Sequence, residues 1–261
     1  MRSLSIAATG MLAQQLNVEV ISNNIANMNT TGYKRQHAEF QDLIYQNLRR
    51  VGSTSSDTGT IVPSGVQVGV GVKTSAVYRI TEQGDLQQTG NSYDVAIQGK
   101  GYYQVALPSG DTGYSRAGSF QLSAQGTIVT SDGHAVQPAI TIPNDAVSVT
   151  INSSGQVLVT TQGSTTETNA GQLQLATFPN PAGLEATGDN LFLETAASGS
   201  ATVSVPGTSG VGTLLQGFLE SANVNTVTEI TNLITAQRAY EMNSQVIQTS
   251  DEMLTTLTQI R

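Results

Sequence analysis

The segment LSIAATGMLAQQLNVEVISNNI at residues 4–25 decides the fold, because apolar side chains recur in it at every seventh position. The main column consists of Leu4, Met11, Val18 and Ile25. A second column, slightly rotated from the first, consists of Ile6, Ala13 and Val20. A seven-residue apolar repeat forms a narrow apolar stripe along an α-helix. That stripe stays exposed to water unless another helix packs against it. The segment therefore predicts a helix that packs against a partner.

The C-terminal region carries the same pattern. Its main column consists of Leu233, Tyr240, Ile247 and Leu254, and its rotated column of Ala239, Val246, Met253 and Ile260. We predict helices over residues 3–27 and 226–260, the first stopped near Gly32 and the second started by the capping-box spacing of Thr226 and Glu229. We expect the main columns to meet within one chain as a coiled coil and the rotated columns to contact neighbouring subunits. A plain helical hairpin without further partners is the alternative.

The middle of the chain has the pattern of β structure. Residues 37–48 predict a short helix or an extended arm. Residues 51–65, VGSTSSDTGTIVPSG, predict an extended excursion because they are rich in Gly, Ser and Thr. Valines then alternate with Gln and Gly over residues 66–72, and short strand patterns separated by turn signals follow as far as residue 220.

The predicted fold class is α+β: an all-β body, sandwich or barrel-like, with N- and C-terminal α-helices that pair as a coiled coil. We predict three domains. Residues 1–30 and 226–261 form the helical domain, residues 31–80 and 216–225 form a connecting arm, and residues 81–215 form the outer β domain.

The charge distribution argues against polyanionic partners. Only 11% of the 261 residues are charged, the net charge is −8, and no Lys or Arg lies between Arg116 and Arg238. Nucleic-acid binding requires cations that displace counterions from phosphates, and an anionic membrane surface attracts cations in the same way. We therefore expect no nucleic-acid partner and no direct membrane insertion.

The sequence contains few candidate catalytic residues. It has no cysteine and two histidines, His37 and His134, without an obvious metal or triad partner nearby. The Gly99-Lys-Gly101 stretch lacks the third glycine of a dinucleotide fingerprint and is interpreted as a hairpin turn. We predict no catalytic residue, no metal site and no cofactor. A secreted, β-rich, wall-cleaving hydrolase that pairs two carboxylates is the remote alternative.

The N-terminal region shows no cleavable signal peptide and no apolar run long enough to span a bilayer. If the protein leaves the cytoplasm, we expect a dedicated secretion route to carry it.

Three stretches of the chain resemble the axial family of bacterial flagellar rod and hook proteins. They are SNNIANMNTTGYKR at 22–35, NSYDVAIQGKG at 91–101 with YSR at 114–116 and GSF at 118–120, and SANVN at 221–225 followed by QRAY at 237–240. The signature residues are Asn23, Asn24, Asn27, Thr31, Gly32, Tyr33, Lys34, Arg35, Asn223, Asn225, Gln237, Arg238, Ala239 and Tyr240. The chain length and residues 45–73 look most like the distal rod type, and a hook or another rod subunit is the alternative.

The resemblance implies a structural subunit that self-assembles into a helical tube around an export channel and transmits torque from motor to hook. It implies as partners other copies of the chain, the proximal rod, the hook, the periplasmic and outer-membrane rings as a bushing, and the flagellar type III export apparatus. The implied location is the distal rod, from the periplasm to the outer membrane.

Overall fold

The computed structural model describes residues 2–52, 64–163, 166–208 and 210–259. The chain divides into two compact units. We call the first, Met1–Ile25 with Gln36–Tyr78 and Asn225–Arg261, the helical unit, and the second, Ala26–Arg35 with Arg79–Val224, the β unit.

The helical unit contains two long helices and four strands within its described residues. They are α1 (Arg2–Ala26), β1 (Gln36–Asp42), β2 (Tyr45–Arg49), β3 (Val66–Gly69), β4 (Val72–Arg79, whose last residue is assigned to the β unit) and α2 (Thr226–Gln259). β1 pairs with β4, and β2 pairs antiparallel with β3. Of the two forms predicted for residues 37–48, the extended arm is therefore correct. Residues 53–63, most of the predicted excursion, lie outside the described residues.

Both predicted helices are present, and Asn225 caps the start of α2. Asn225 precedes the helix, and its side-chain Oδ1 accepts a hydrogen bond from the Thr228 backbone N–H at 3.1 Å. An Asn at this position satisfies a backbone donor that has no partner within the helix. Glu229 Oε2 accepts a hydrogen bond from Asn24 Nδ2 on α1 at 3.2 Å.

The β unit carries the remaining described strands and one 3₁₀ turn. The strands are β5 (Leu86–Gln88), β6 (Val95–Gln98), β7 (Tyr102–Ala106), β8 (Thr112–Ser115), β9 (Gln121–Leu122), β10 (Ile128–Val129), β11 (Val136–Gln137), β12 (Ala146–Ile151), β13 (Gln156–Thr161), β14 (Thr168–Gln172), β15 (Leu175–Thr177), β16 (Glu185–Gly188), β17 (Leu191–Leu193), β18 (Thr202–Ser204), β19 (Thr213–Gln216) and β20 (Phe218–Glu220). The 3₁₀ turn spans Pro181–Gly183.

These strands form several small sheets. The largest has the order β16-β17-β8-β7-β15-β18, with β11 also paired to β7. A second sheet has the order β12-β13-β14, and β19 pairs with β6, β20 with β5, and β10 with β9. The α+β class is thus confirmed, but the described strands close into no barrel.

The larger of two apolar clusters in the β unit joins several of these sheets. Tyr103, Phe120, Ile97 and Leu175 belong to it and are almost fully buried. The Tyr103 and Phe120 rings meet edge to face at 4.9 Å, and the Tyr103 hydroxyl donates to the Val95 carbonyl at 2.7 Å. That bond satisfies the buried hydroxyl.

The Gly99-Lys-Gly101 stretch is a turn but not a hairpin, so the sequence interpretation was wrong. β6 before the turn pairs with β19, while β7 after it pairs with β8. Both glycines have positive φ, 108° at Gly99 and 147° at Gly101. Only glycine enters this region without strain, which lets the chain cross from one sheet to another.

Candidate assembly site

The two helices of the helical unit contact each other through a column of small and polar residues. Ser250 Oγ donates to Ser3 Oγ at 3.3 Å, and Asn24 Nδ2 donates to Glu229 Oε2 at 3.2 Å. Between these contacts, a Cβ atom on Gly10 would lie 2.8 Å from Asn243 Nδ2. Along α1 the contacts advance by seven and then fourteen residues, and along α2 they recede by the same steps. The helices therefore run antiparallel in one fixed register.

The Asn24 and Glu229 pair is buried. Asn24 also bridges α1 to the start of β1, because its Nδ2 donates to the Gln36 carbonyl at 2.9 Å and its Oδ1 accepts from the Gln36 N–H at 2.8 Å. Asn24 is 1% exposed and Glu229 is 4% exposed. A buried carboxylate without a donor is costly, so this pair holds the helices and the arm in one arrangement.

In α1 the two apolar columns do not occupy the predicted surfaces. Ala13 and Val20 of the rotated column are buried, together with Ala7, Ile21 and Asn24, although Ile6 at the start of that column is exposed. The main column of Leu4, Met11, Val18 and Ile25 is half-buried. Most of the rotated column of α1 thus packs inside the helical unit, and the main column keeps part of its apolar surface in water.

In α2 the two columns overlap in their exposure. Leu233, Ile247 and Leu254 of the main column are half-buried, and Tyr240 is 43% exposed. In the rotated column, Ala239 is half-buried, Val246 and Met253 are 44% and 56% exposed, and Ile260 lies outside the described residues. Val227, Ile230, Ile234 and Met242 add further exposed apolar area. α2 therefore carries much uncovered apolar surface.

The β unit holds a buried charge cluster that we call the Glu220 triad: Lys34, Arg116 and Glu220. Lys34 Nζ donates to Glu220 Oε1 and Arg116 Nε to Glu220 Oε2, each at 2.6 Å. The Gly84 N–H adds a third bond to Oε1 at 2.9 Å. The Glu220 side chain is 1% exposed. The triad joins the N-terminal signature, the β body and the approach to the C-terminal signature.

The cations of the triad are also bound to backbone carbonyls. Arg116 donates through Nη1 to Gly101 and through Nη2 to Gly99, both at 2.6 Å, and Lys34 Nζ donates to the Glu82 carbonyl at 2.7 Å. Arg116 thereby fixes the turn between β6 and β7.

Burial and charge act on the triad in opposite directions. Burial disfavours the ionised form of Glu220, but the charges of Arg116 and Lys34 outweigh it, so the pKa of Glu220 lies below its ordinary value. Burial lowers the pKa of Lys34 against the opposing bond to Glu220. The ionised carboxylate is therefore the form that the fold holds.

Asn223 binds two separate backbone segments. Its Oδ1 accepts from the Arg35 N–H at 2.7 Å, and its Nδ2 donates to the Ile80 and Glu82 carbonyls at 2.9 and 3.0 Å. Its backbone N–H also donates to the Tyr33 carbonyl at 3.4 Å. The two ends of the family signature thus meet within the β unit.

Gly32 shows why the signature contains a glycine. Its φ is +69°, and a Cβ there would lie 2.9 Å from the Ala117 backbone nitrogen. Nearby, Thr30 Oγ1 donates to Asn27 Oδ1 at 3.1 Å. Thr31 is half-buried and Asn23 is exposed. Of the signature residues on α2, Gln237 and Arg238 are exposed.

The sequence interpretation missed the partners of the signature residues. The sequence pattern predicted no ion pair for Glu220, and Arg116 entered the prediction only within the YSR motif at 114–116. The sequence did contain one indication. Glu220 directly precedes the signature segment at 221–225 and lies in the region without Lys or Arg, so any cation that pairs with it must come from a distant part of the chain.

The described residues contain no cluster of His, Asp or Glu that could hold a metal ion. No helix in the described part of the chain is both long and apolar enough to cross a membrane. A cleft of about 490 Å³ in the β unit is lined in part by Lys34, Arg116 and Tyr102, but both cations are already bound to Glu220.

Long terminal helices with exposed apolar columns, together with a β unit fixed by a buried charge triad, define the class of structural assembly subunits. Models of three protein families match three segments of this chain. "Flagella basal body rod protein" matches residues 4–34, "Flagellar hook protein FlgE/F/G D1 domain" residues 96–159, and "Flagellar basal body rod FlgEFG protein C-terminal" residues 215–260.

Similarity extends over the whole chain. Flagellar basal-body rod protein FlgG of Caulobacter vibrioides is 62% identical over 261 residues and covers 100% of both chains. The proteins of the same name from Agrobacterium fabrum and Buchnera aphidicola subsp. Schizaphis graminum are 54% and 48% identical, covering 97% and 99% of both chains. The chain belongs to the flagellar basal-body rod protein family, in its distal rod type, and is a structural subunit, not an enzyme.

Proposed function

We propose that this subunit polymerises into the rigid distal rod as a helical tube that encloses the export channel and transmits torque from motor to hook. The observation that carries the proposal is the exposed apolar surface of α2, where Val246 and Met253 lie uncovered on a helix of 34 residues. Uncovered apolar columns of this kind are buried when neighbouring helices pack side by side.

In this proposal the chain acts as three parts, with residues 1–30 and 226–261 as the helical domain, 31–80 and 216–225 as the arm, and 81–215 as the outer β domain. The terminal helices pair as a coiled coil, and the column of contacts between them, spaced by seven and fourteen residues, supports this pairing. The assembly interface comprises Leu4, Met11, Val18, Ile25, Leu233, Tyr240, Ile247, Leu254, Ala239, Val246 and Met253.

The proposed partners are further copies of the chain, the proximal rod, the hook, the ring proteins that act as a bushing, and the flagellar type III export apparatus. The proposed location extends from the periplasm to the outer membrane, with export that uses no cleaved signal peptide. The match to full-length rod proteins, rather than to one domain, supports the rod over the hook.

The test is polymerisation of the purified chain, followed by sedimentation and electron microscopy. Val246→Asp and Met253→Asp should leave the monomer folded and prevent polymer formation, because each places a charge on a surface that assembly buries. Val147→Asp is the matched control, since Val147 is 69% exposed on β12 of the β unit. Normal polymers from the first two variants would refute the assignment of this face.

The arm contributes a second proposed contact. Ile44, Tyr45 and Leu48 around β2 and Val66 on β3 are between 48% and 80% exposed, so this hairpin presents apolar side chains to water. We propose that the hairpin and the excursion at residues 51–65 stiffen the tube by contacting neighbouring subunits. Deletion of the excursion should give a bent, flexible polymer, and a straight product would contradict the idea.

A further inference from the structure

A groove runs beside the two helices of the helical unit. It has a volume of about 510 Å³ and is lined by Gln15, Val18, Glu19, Gln237, Tyr240 and Glu241. Its apolar part comes from Val18 and Tyr240, and its two charged groups are carboxylates. Gln15 Nε2 donates to Glu19 Oε1 at 3.1 Å, which holds the exposed carboxylate at the groove. No cation lines the groove, so its chemistry fits a cationic side chain with an apolar stem.

α2 itself carries a side chain of that kind at Arg238, three residues before Glu241. Arg238 is exposed and forms no ion pair within the described residues. It follows the buried Ala236 by two residues, which is roughly half a helical turn. Arg238 therefore points away from the side of α2 that packs inside the unit.

We propose that Arg238 of one copy enters the groove of a second copy and pairs there with Glu19 and Glu241. This inference rests on the proposed self-assembly and names one of its contacts. The guanidinium can meet both carboxylates while its stem covers Val18 and the face of the Tyr240 ring, a favourable cation–π arrangement. Charge complementarity identifies the occupant: on the two helices, the described cations are Arg2 and Arg238, and only Arg238 lies beside the groove residues in sequence.

The experiment uses full-length protein in two complementary forms, Arg238→Glu and the double variant Glu19→Arg with Glu241→Arg. Each form alone should polymerise only at a concentration raised by roughly tenfold or more, because like charges then face each other across the contact. An equal mixture should polymerise near the wild-type concentration. In the mixture, the glutamate introduced at position 238 would meet the reversed groove of the other form, and natural Arg238 would meet a natural groove.

Glu252→Arg is the matched control, since Glu252 is an exposed acid on the same helix outside the groove. It should polymerise like the wild type, and circular dichroism should show unchanged helix content in every variant. Normal polymerisation of Arg238→Glu would overturn the inference while leaving self-assembly intact. A single chain carrying all three substitutions, Arg238→Glu, Glu19→Arg and Glu241→Arg, is a further test. If polymerisation is restored in that chain but not in the mixture, the charges pair within one chain and the inference is wrong. Failure of the wild type to polymerise would instead refute the proposed function.

Discussion

Glu220 shows how one residue can organise distant parts of this chain. Its carboxylate accepts bonds from Lys34, Arg116 and the Gly84 N–H, which are far apart in sequence. Its own backbone carbonyl accepts from the Gly32 N–H at 2.8 Å. Removing the carboxylate would leave two buried cations facing each other, so the β unit depends on this group more than on an average ion pair.

We therefore expect Glu220→Gln to destabilise the β unit by about 3–5 kcal/mol, the usual cost of breaking a buried pair from one side. Urea unfolding followed by tyrosine fluorescence measures this change, since the chain has no tryptophan. Glu185→Gln, the same substitution at an exposed position on β16, should change stability by less than about 0.5 kcal/mol. Equal effects of the two substitutions would refute the role of the triad.

The triad also predicts an acid dependence. Burial acts to raise the pKa of Glu220, but Arg116 and Lys34 outweigh it, so that pKa is lower in the folded chain than its ordinary value of 4.5. The stabilising contribution of Glu220 is complete above that ordinary value and disappears as the pH falls through the folded-state pKa. The wild type should accordingly lose stability more steeply than Glu220→Gln below pH 4.5, as measured by urea midpoints. Parallel curves would show that other carboxylates control acid unfolding.

At the scale of elements, the contact between α1 and α2 depends on polar groups that fit only one register. Ser3, Gly10 and Asn24 meet Ser250, Asn243 and Glu229 in order. Sliding the helices by one turn would bury Glu229 away from its donor, whereas a purely apolar seam would tolerate the shift better. A polar position in a helix seam fixes register in this way.

A double-mutant cycle on Asn24→Ala and Glu229→Ala tests this contact. Asn24→Ala should cost about 1–3 kcal/mol, because it removes a donor from a buried carboxylate. The double variant should cost less than the sum of the single variants, with a coupling of about 0.5–3 kcal/mol. Asn17→Ala, in the same seven-residue column, should be nearly neutral, since its side chain forms no hydrogen bond within the described residues. Additive effects would show that the pair is not coupled.

The elements that the sequence predicted correctly are those with a strong periodic pattern. Both helices and strands such as β7 and β13 follow apolar spacing. β14, with the sequence TNAGQ, has no apolar alternation that would predict a strand and is held by pairing with β13. The column of contacts between α1 and α2 was not predicted for a similar reason: the periodic signal comes from apolar residues, whereas Ser3, Gly10 and Asn24 are polar or small.

At the scale of the whole molecule, the placement of cations makes trypsin a probe of both units. In the helical unit, Arg2, Arg49 and Lys73 are exposed. In the β unit, Arg116 is buried in the triad, and Arg79 donates to the Leu184 carbonyl at 3.0 Å while lying 4.9 Å from the centre of the Phe192 ring. Since no Lys or Arg lies between Arg116 and Arg238, survival of the β unit depends on a few sites.

Trypsin should therefore remove the exposed ends of the chain and leave a fragment that includes Arg79 and Arg116 and ends at Arg238. Lys100 is the most informative site, because its side chain is exposed while the carbonyls on both sides of it are bound to Arg116. Trypsin should cut at Lys100 slowly in the wild type and faster in Glu220→Gln, because that substitution removes the anion that pairs with Arg116. Cleavage at Arg49 is the control and should be equally fast in both proteins. Mass spectrometry of timed digests measures these rates. Rapid cleavage after Arg116 in the wild type would show that the triad does not protect the β unit from trypsin.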